Sequence, residues 1–151
     1  MKRKFLAIIF AALSVTIFGI SASAQRNVTP AIDRDPLMEQ DAKHNLDVAK
    51  QYFLLKKAYK GVLERFEETY AAYPTFSKMD EFLYYAGMSS YYLAEGKGKQ
   101  KIDLTREKDP AKYEPAKLKD DAIGYLSTIV EKYPESKFKN DAEKTLAVLK
   151  K

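Results

Sequence analysis

The 151-residue sequence contains no cysteine and no tryptophan, and it has a single histidine. Without cysteine, this sequence has no disulfide bond, no zinc–thiolate centre and no catalytic thiol. It also offers no thiol for acylation, so the sequence predicts no lipid anchor. One histidine, His44, excludes a metal site built from several histidines. The fold must therefore be stabilised by side-chain packing instead of cross-links or metals.

The remaining polar residues do not form a recognisable catalytic pattern. The charged neighbours of His44 are typical of a solvated helix face. The segment 96–99 reads Gly-Lys-Gly-Lys, but it lacks the spacing and the strand-to-helix setting of a phosphate loop. Adjacent acids such as Glu67 and Glu68 point about 100° apart on a helix, so they do not make one carboxylate site. The sequence predicts no enzyme activity, no cofactor and no metal.

The amino terminus has the three parts of an export signal. Residues 2–4 are cationic, residues 5–20 are uncharged and apolar, and residues 22–24 form an Ala-Ser-Ala cleavage site. We expect cleavage after Ala24. The alternative is an uncleaved membrane anchor, although the apolar run is shorter than the roughly 20 residues that span a bilayer.

Cleavage would change the charge and the organisation of the chain. Removing the three cationic residues lowers the net charge from +5 to +2, which weakens the case for nucleic-acid binding. We expect a signal peptide at 1–24, a flexible leader at 25–34 and one folded domain at 35–151. No stable transmembrane helix is expected after processing.

A repeated apolar spacing is the most informative feature of the predicted domain. Each copy follows one stripe of an α-helix and ends at Tyr-Pro, where proline cannot continue the helix. A helix with a single apolar stripe cannot bury it alone, so repeated units must stack as an α-solenoid. The first copy is Val62, Leu63, Phe66, Thr69, Tyr70, Tyr73 and Pro74, and the second is Ala122, Ile123, Leu126, Ile129, Val130, Tyr133 and Pro134.

The spacing and the capping residues predict an all-α chain of about five helices in antiparallel pairs, without strands. A turn at Lys57-Ala58 is expected to separate the first two helices, although they could instead fuse. Gly87 lies mid-helix, which indicates a close approach of another helix. The expected helices are 36 to about 56, 59–72, a third capped by Ser77 or Asp80 and ending at Gly96, a fourth from Pro115 to Tyr133, and a fifth after Ser136. Residues 96–114 are expected to form a long loop.

Tyrosine is abundant, with eleven copies. On the third helix, Tyr84, Met88 and Tyr91 form a stripe at i, i+4 and i+7, apart from the face that should pack. Tyrosine combines a large apolar ring with a hydroxyl that tolerates water, so the stripe is a candidate protein-binding surface. The alternative is that the carboxyl-terminal helices cover it as core.

Three segments, 59–74, 82–92 and 121–138, resemble successive helices of the tetratricopeptide repeat. More narrowly, they resemble the BamD-like family of bacterial outer-membrane biogenesis proteins, and the long loop at 96–114 is similar to one that this family carries. The resemblance covers roughly residues 45–150. Unlike BamD, this chain has no cysteine to carry lipid and has fewer repeats.

The resemblance implies a non-catalytic periplasmic adaptor that binds protein partners in cell-envelope or outer-membrane protein assembly. Such a protein acts by presenting a rigid concave surface. The alternative is a self-associating structural subunit or a periplasmic chaperone.

Overall fold

Residues 34–151 are described by the computed structural model. The predicted signal peptide, 1–24, and leader residues 25–33 lie outside these residues. Arg34, the last residue of the predicted leader, donates a hydrogen bond from Nε to the carbonyl oxygen of Thr75 at 3.1 Å.

The described residues form five α-helices and no strand, so the predicted all-α fold class is confirmed. A π-helical segment, Tyr52–Lys56, continues the first helix, and two 3₁₀ turns, Leu104–Arg106 and Pro110–Tyr113, lie in the long loop. The helices are α1, Pro36–Gln51; α2, Tyr59–Ala72; α3, Met79–Ala94; α4, Pro115–Lys132; and α5, Lys139–Leu149.

The two ends of α1 follow the predicted chemistry. The Asp35 side chain accepts hydrogen bonds from the backbone N–H groups of Leu37 and Met38, as an N-cap does. After the π-helical segment, Lys57 adopts a left-handed conformation with φ of 51°. The N–H of Ala58 then donates to the carbonyl oxygen of Tyr52 at 3.0 Å. The predicted break between the first two helices is confirmed.

The repeat extends to the turns that follow α2 and α4. Tyr73 N–H donates to the oxygen of Thr69 at 2.7 Å, and Tyr133 N–H donates to the oxygen of Ile129 at 3.0 Å. Three residues after each tyrosine, the N–H of Phe76 or Ser136 donates back to that tyrosine's oxygen. One local structure is therefore built twice, as the apolar spacing predicts.

The predicted cap of the third helix is wrong. Lys78 occupies the N-cap of α3 and makes no side-chain capping bond. The helix instead starts from the backbone, because the N–H of Met79 donates to the oxygen of Phe76 at 3.1 Å. Asp80 is engaged elsewhere, since its carboxylate accepts a hydrogen bond from Ser136 Oγ at 2.6 Å and so joins the first turn of α3 to the second Tyr-Pro turn. The backbone N–H of Ser77 donates to the Glu39 carboxylate.

The core lies where α2, α3 and α4 meet. Phe66 of α2 contacts the rings of Phe82 on α3 and Tyr125 on α4, with centroids 5.5 and 4.9 Å apart. A side chain at Gly87 would collide with Leu126, because its Cβ would lie 2.8 Å from the Leu126 Cγ. The close approach predicted at Gly87 is therefore confirmed, and α4 is the helix that makes it.

We expect Gly87→Ala to destabilise the protein and Gly124→Ala to stabilise it. Both replacements gain about 1 kcal/mol of helix propensity. At Gly87 this gain is opposed by overpacking against a fully buried leucine, which typically costs about 1–3 kcal/mol. At Gly124 no atom lies within 4 Å of the new Cβ. Chemical denaturation of both variants measures the difference, and equal stability would contradict the observed contact.

Candidate protein-binding surface

Helices α1, α3 and α5 run in the same direction and are joined by side chains. Phe53, in the π-helical segment after α1, packs on Tyr85 and Tyr92 of α3. Farther along, Thr145 Oγ of α5 lies 3.6 Å from the sulfur of Met88 on α3. Two contacts along each pair of elements show the direction: Lys50 and Phe53 meet Glu81 and Tyr85 in that order. Phe138 and Thr145 likewise meet Tyr84 and Met88 in that order, so the first helices of successive pairs lie parallel.

Aromatic rings follow one another across this face. The centroids of Phe53 and Tyr85 are 5.1 Å apart, those of Tyr85 and Tyr84 are 5.7 Å apart, and those of Tyr84 and Phe138 are 4.6 Å apart. Tyr84 and Phe138 are stacked with an interplanar angle of 20°. We call these four residues the aromatic row, and it connects α1, α3 and the start of α5.

The three residues of the predicted stripe lie in three different environments. Tyr84 belongs to the row and is half-buried under Phe138. Met88 is 8% exposed and packs against α5, as the core alternative proposed. Tyr91 is half-buried, and the Lys97 ammonium lies 5.6 Å from its ring centroid. Partner binding by the three residues stays a prediction.

Charged groups flank the row between α1 and α3. Lys50 and Glu81 form an ion pair with an N–O distance of 2.8 Å, and Glu81 is buried. The hydrogen bond to Glu81 raises the pKa of Lys50, so the lysine is fully protonated at neutral pH. Burial raises the pKa values of Tyr84 and Tyr85 above 10.0. Their hydroxyls are therefore neutral and can donate hydrogen bonds.

Sequence reasoning missed Phe53 and Phe138 as members of this surface. The spacing of Leu46, Ala49 and Phe53, and that of Phe138, Ala142, Leu146 and Leu149, is helical and predicts that both rings lie on buried faces of their helices. In the structure both are half-buried and complete the row. The signal that could have identified Phe138 is the repeated Tyr-Pro turn, because the second copy of this turn places Phe138 against Tyr84 in the second turn of α3.

A second feature lies where α1, α2 and α3 meet the long loop. Phe53, Tyr59 and Tyr92 line a cavity of about 480 Å³. The ring centroids of Tyr59 and Tyr92 are 5.0 Å apart. Lys57 and Lys97 lie at its edge, so the cavity combines aromatic walls with a cationic rim.

Residues 34–151 contain no group of three acidic or histidine side chains placed to hold a metal ion. Within the same residues, no helix is both long and apolar enough to cross a bilayer. His44 is exposed on α1, where its neighbours Lys43 and Asp47 pair with each other at 2.9 Å.

A comparison with protein families identifies the family of this chain. The profile of the YfiO family, described as outer membrane lipoprotein, matches residues 21–151. The chain belongs to this family. The match spans all five helices and both Tyr-Pro turns, and it confirms the predicted resemblance to BamD-like tetratricopeptide proteins. Searches of curated proteins and of solved structures found no match.

Membership of the YfiO family bears on the location of this chain in the cell. The family description assigns its members to the outer membrane as lipoproteins, which implies an envelope location for this chain. The family also implies protein partners in outer-membrane assembly. This sequence differs from that description in one respect, because it contains no cysteine to carry a lipid.

Proposed function

We propose that this YfiO-family chain is a non-catalytic periplasmic adaptor that holds protein partners during outer-membrane or other envelope protein assembly. The observation that carries the proposal is the aromatic row, which crosses three parallel elements. Tyr84 and Tyr91, two members of the predicted stripe, lie on or beside this row and are half-buried. A partner segment lying across α1, α3 and α5 would contact them together.

The chemistry of the row suits protein recognition. Tyrosine and phenylalanine are enriched at the centres of protein interfaces, because they bury a large apolar area at a low cost in side-chain entropy. The neutral hydroxyl of the half-buried Tyr84 can also bond to a partner's backbone. Apolar burial supplies affinity, and the hydroxyl favours one orientation of the bound chain.

The row is preorganised. Tyr84 is fixed by its stack on Phe138, and Met88 fills the space between α3 and α5 beneath the surface. The Lys50–Glu81 ion pair holds α1 against α3 at one end of the row. A surface ordered before binding loses less conformational entropy when the partner docks. Met88 therefore supports the binding surface from below.

Site-specific photocrosslinking tests the proposal. A photoreactive amino acid replaces Tyr91, and a matched control carries it at Tyr70, which is 49% exposed on α2 away from the row. We expect position 91 to capture envelope proteins other than this chain, and position 70 to capture none of them. Adducts with twice the mass of the chain would instead favour the self-associating alternative. Capture by both positions alike, or by neither, would contradict the proposal.

A further inference from the structure

Leu54 and Leu55 are the most unusual apolar side chains among the described residues. They are consecutive in the π-helical segment, and they expose 58% and 74% of their surfaces. Consecutive residues of a helix point in different directions, so the run Tyr52-Phe53-Leu54-Leu55 cannot be buried on one face. Phe53 takes the inward position, and the two leucines face solvent.

Lysines surround these leucines. Lys57 and Lys97 line the same cavity as Leu54. A backbone hydrogen bond of 3.0 Å from the N–H of Lys99 to the oxygen of Lys57 joins the loop to the turn. We call the six residues Leu54, Leu55, Lys56, Lys57, Lys97 and Lys99 the leucine–lysine patch.

The charge of the patch is uncompensated. None of its four lysines forms an ion pair within residues 34–151. Asp47, which lies beside Leu54 and Leu55, already pairs with Lys43. Four lysines without an ion pair leave a positive surface that attracts anions.

The patch rests on a rigid base. Tyr59 and Tyr92 pack against each other and against Phe53 beneath it. The Lys97 ammonium lies 5.6 Å from the ring centroid of Tyr92, and that of Lys56 lies 4.9 Å from the ring centroid of Tyr52. Tyrosine is a residue that favours the boundary between water and an apolar phase.

We propose that the leucine–lysine patch rests on a membrane surface that contains anionic phospholipid. Leu54 and Leu55 enter the headgroup region, and the four lysines face the lipid phosphates. Exposed apolar side chains combined with clustered cations are the two components of peripheral membrane binding. This contact uses side chains alone and requires no acylated residue. The patch adjoins the aromatic row, because Phe53 lines the same cavity as Leu54 and the Lys97 ammonium lies over Tyr91, but lipid binding does not depend on the adaptor function proposed above.

The absence of cysteine makes a clean labelling experiment possible. In the exported protein recovered from cells, a single cysteine is introduced by Leu55→Cys and labelled with an environment-sensitive fluorophore. The matched control is Leu37→Cys, because Leu37 is 73% exposed, also a leucine, and lies at the other end of α1. Both proteins are mixed with vesicles of phosphatidylcholine alone, or of phosphatidylcholine and phosphatidylglycerol in equal parts.

We expect a blue shift at position 55 with the anionic vesicles only, no shift at position 37, and loss of the shift in about 1 M salt, where the Debye length falls to about 3 Å. A shift of equal size at both positions would show that another part of the chain binds lipid, and would overturn the proposal. No shift at position 55 would do the same. A shift that appears without vesicles as protein concentration rises would assign the patch to a second copy.

Neutralising the lysines provides an independent measurement. Lys57→Gln and Lys99→Gln should each lower the vesicle partition coefficient roughly 5-fold, and the control Lys119→Gln, an exposed lysine on α4, should leave it unchanged. Far-UV circular dichroism checks that each variant is folded. Equal partitioning of all three folded variants would overturn the role of the patch.

Discussion

Replacing Phe66 by alanine should lower the free energy of unfolding by about 3–5 kcal/mol, because it removes the side chain through which three helices meet. Phe66 is 1% exposed and packs against Phe82 and Tyr125, so alanine would leave a cavity bounded by α2, α3 and α4. For a domain of this size the loss corresponds to a melting temperature lower by roughly 10–20 °C. Thermal melts followed by circular dichroism measure it.

The equivalent residue of the second repeat is Leu126, and Leu126→Ala should cost about 2–5 kcal/mol. The control is His44→Ala, which changes an exposed side chain and should alter stability by less than about 0.5 kcal/mol. If all three variants had the same melting temperature, Phe66 and Leu126 would not be equivalent core positions and the repeat alignment would be wrong.

The contact between Gly87 and Leu126 allows a test of energetic coupling between α3 and α4. A methyl group at position 87 collides with Leu126 in the native protein, but it would partly fill the space that Leu126→Ala leaves. Gly87→Ala should therefore be less costly in the Leu126→Ala background than alone. Additive effects in a double-mutant cycle would contradict the contact between α3 and α4.

The helices were predictable from the sequence because their signals are local. Pro36 and Pro115 start helices, Tyr-Pro ends two of them, and the apolar stripes identify the buried faces. The cap of α3 was predicted wrongly because Asp80 bonds to Ser136, a partner distant along the chain. A residue that can cap a helix locally can be captured by tertiary structure, and spacing alone does not reveal this.

The binding surface was only partly predictable for the same reason. Helical spacing placed Tyr84, Met88 and Tyr91 on one stripe, but it did not determine which part of the stripe α5 would cover. Which residues α5 covers depends on how the second Tyr-Pro turn directs Phe138 onto Tyr84. Leu54 and Leu55 lie in a π-helical segment, which the 3.6-residue period does not predict.

The last prediction concerns the adaptor surface. Replacing Tyr84 and Tyr91 together by alanine should abolish the recovery of protein partners from envelope fractions, while the helical fold is retained. Aromatic anchors at an interface commonly contribute 2 kcal/mol or more each, so losing two should weaken binding by roughly 1,000-fold. Partner recovery is measured by cross-linked pull-down, with circular dichroism on the same samples, because loss of binding by an unfolded variant would carry no information.

Four control variants separate recognition from packing and from charge. Tyr84→Phe keeps the stack on Phe138 and should retain most of the binding, whereas Tyr70→Ala, on an exposed part of α2, should retain all of it. The Lys57→Gln and Lys99→Gln variants should also recover partners normally, because neither lysine belongs to the aromatic row or to the predicted tyrosine stripe. A folded Tyr84→Ala, Tyr91→Ala variant that still recovered every partner would eliminate the aromatic row as the binding surface. The ends of the solenoid would then be the better candidate for partner contacts.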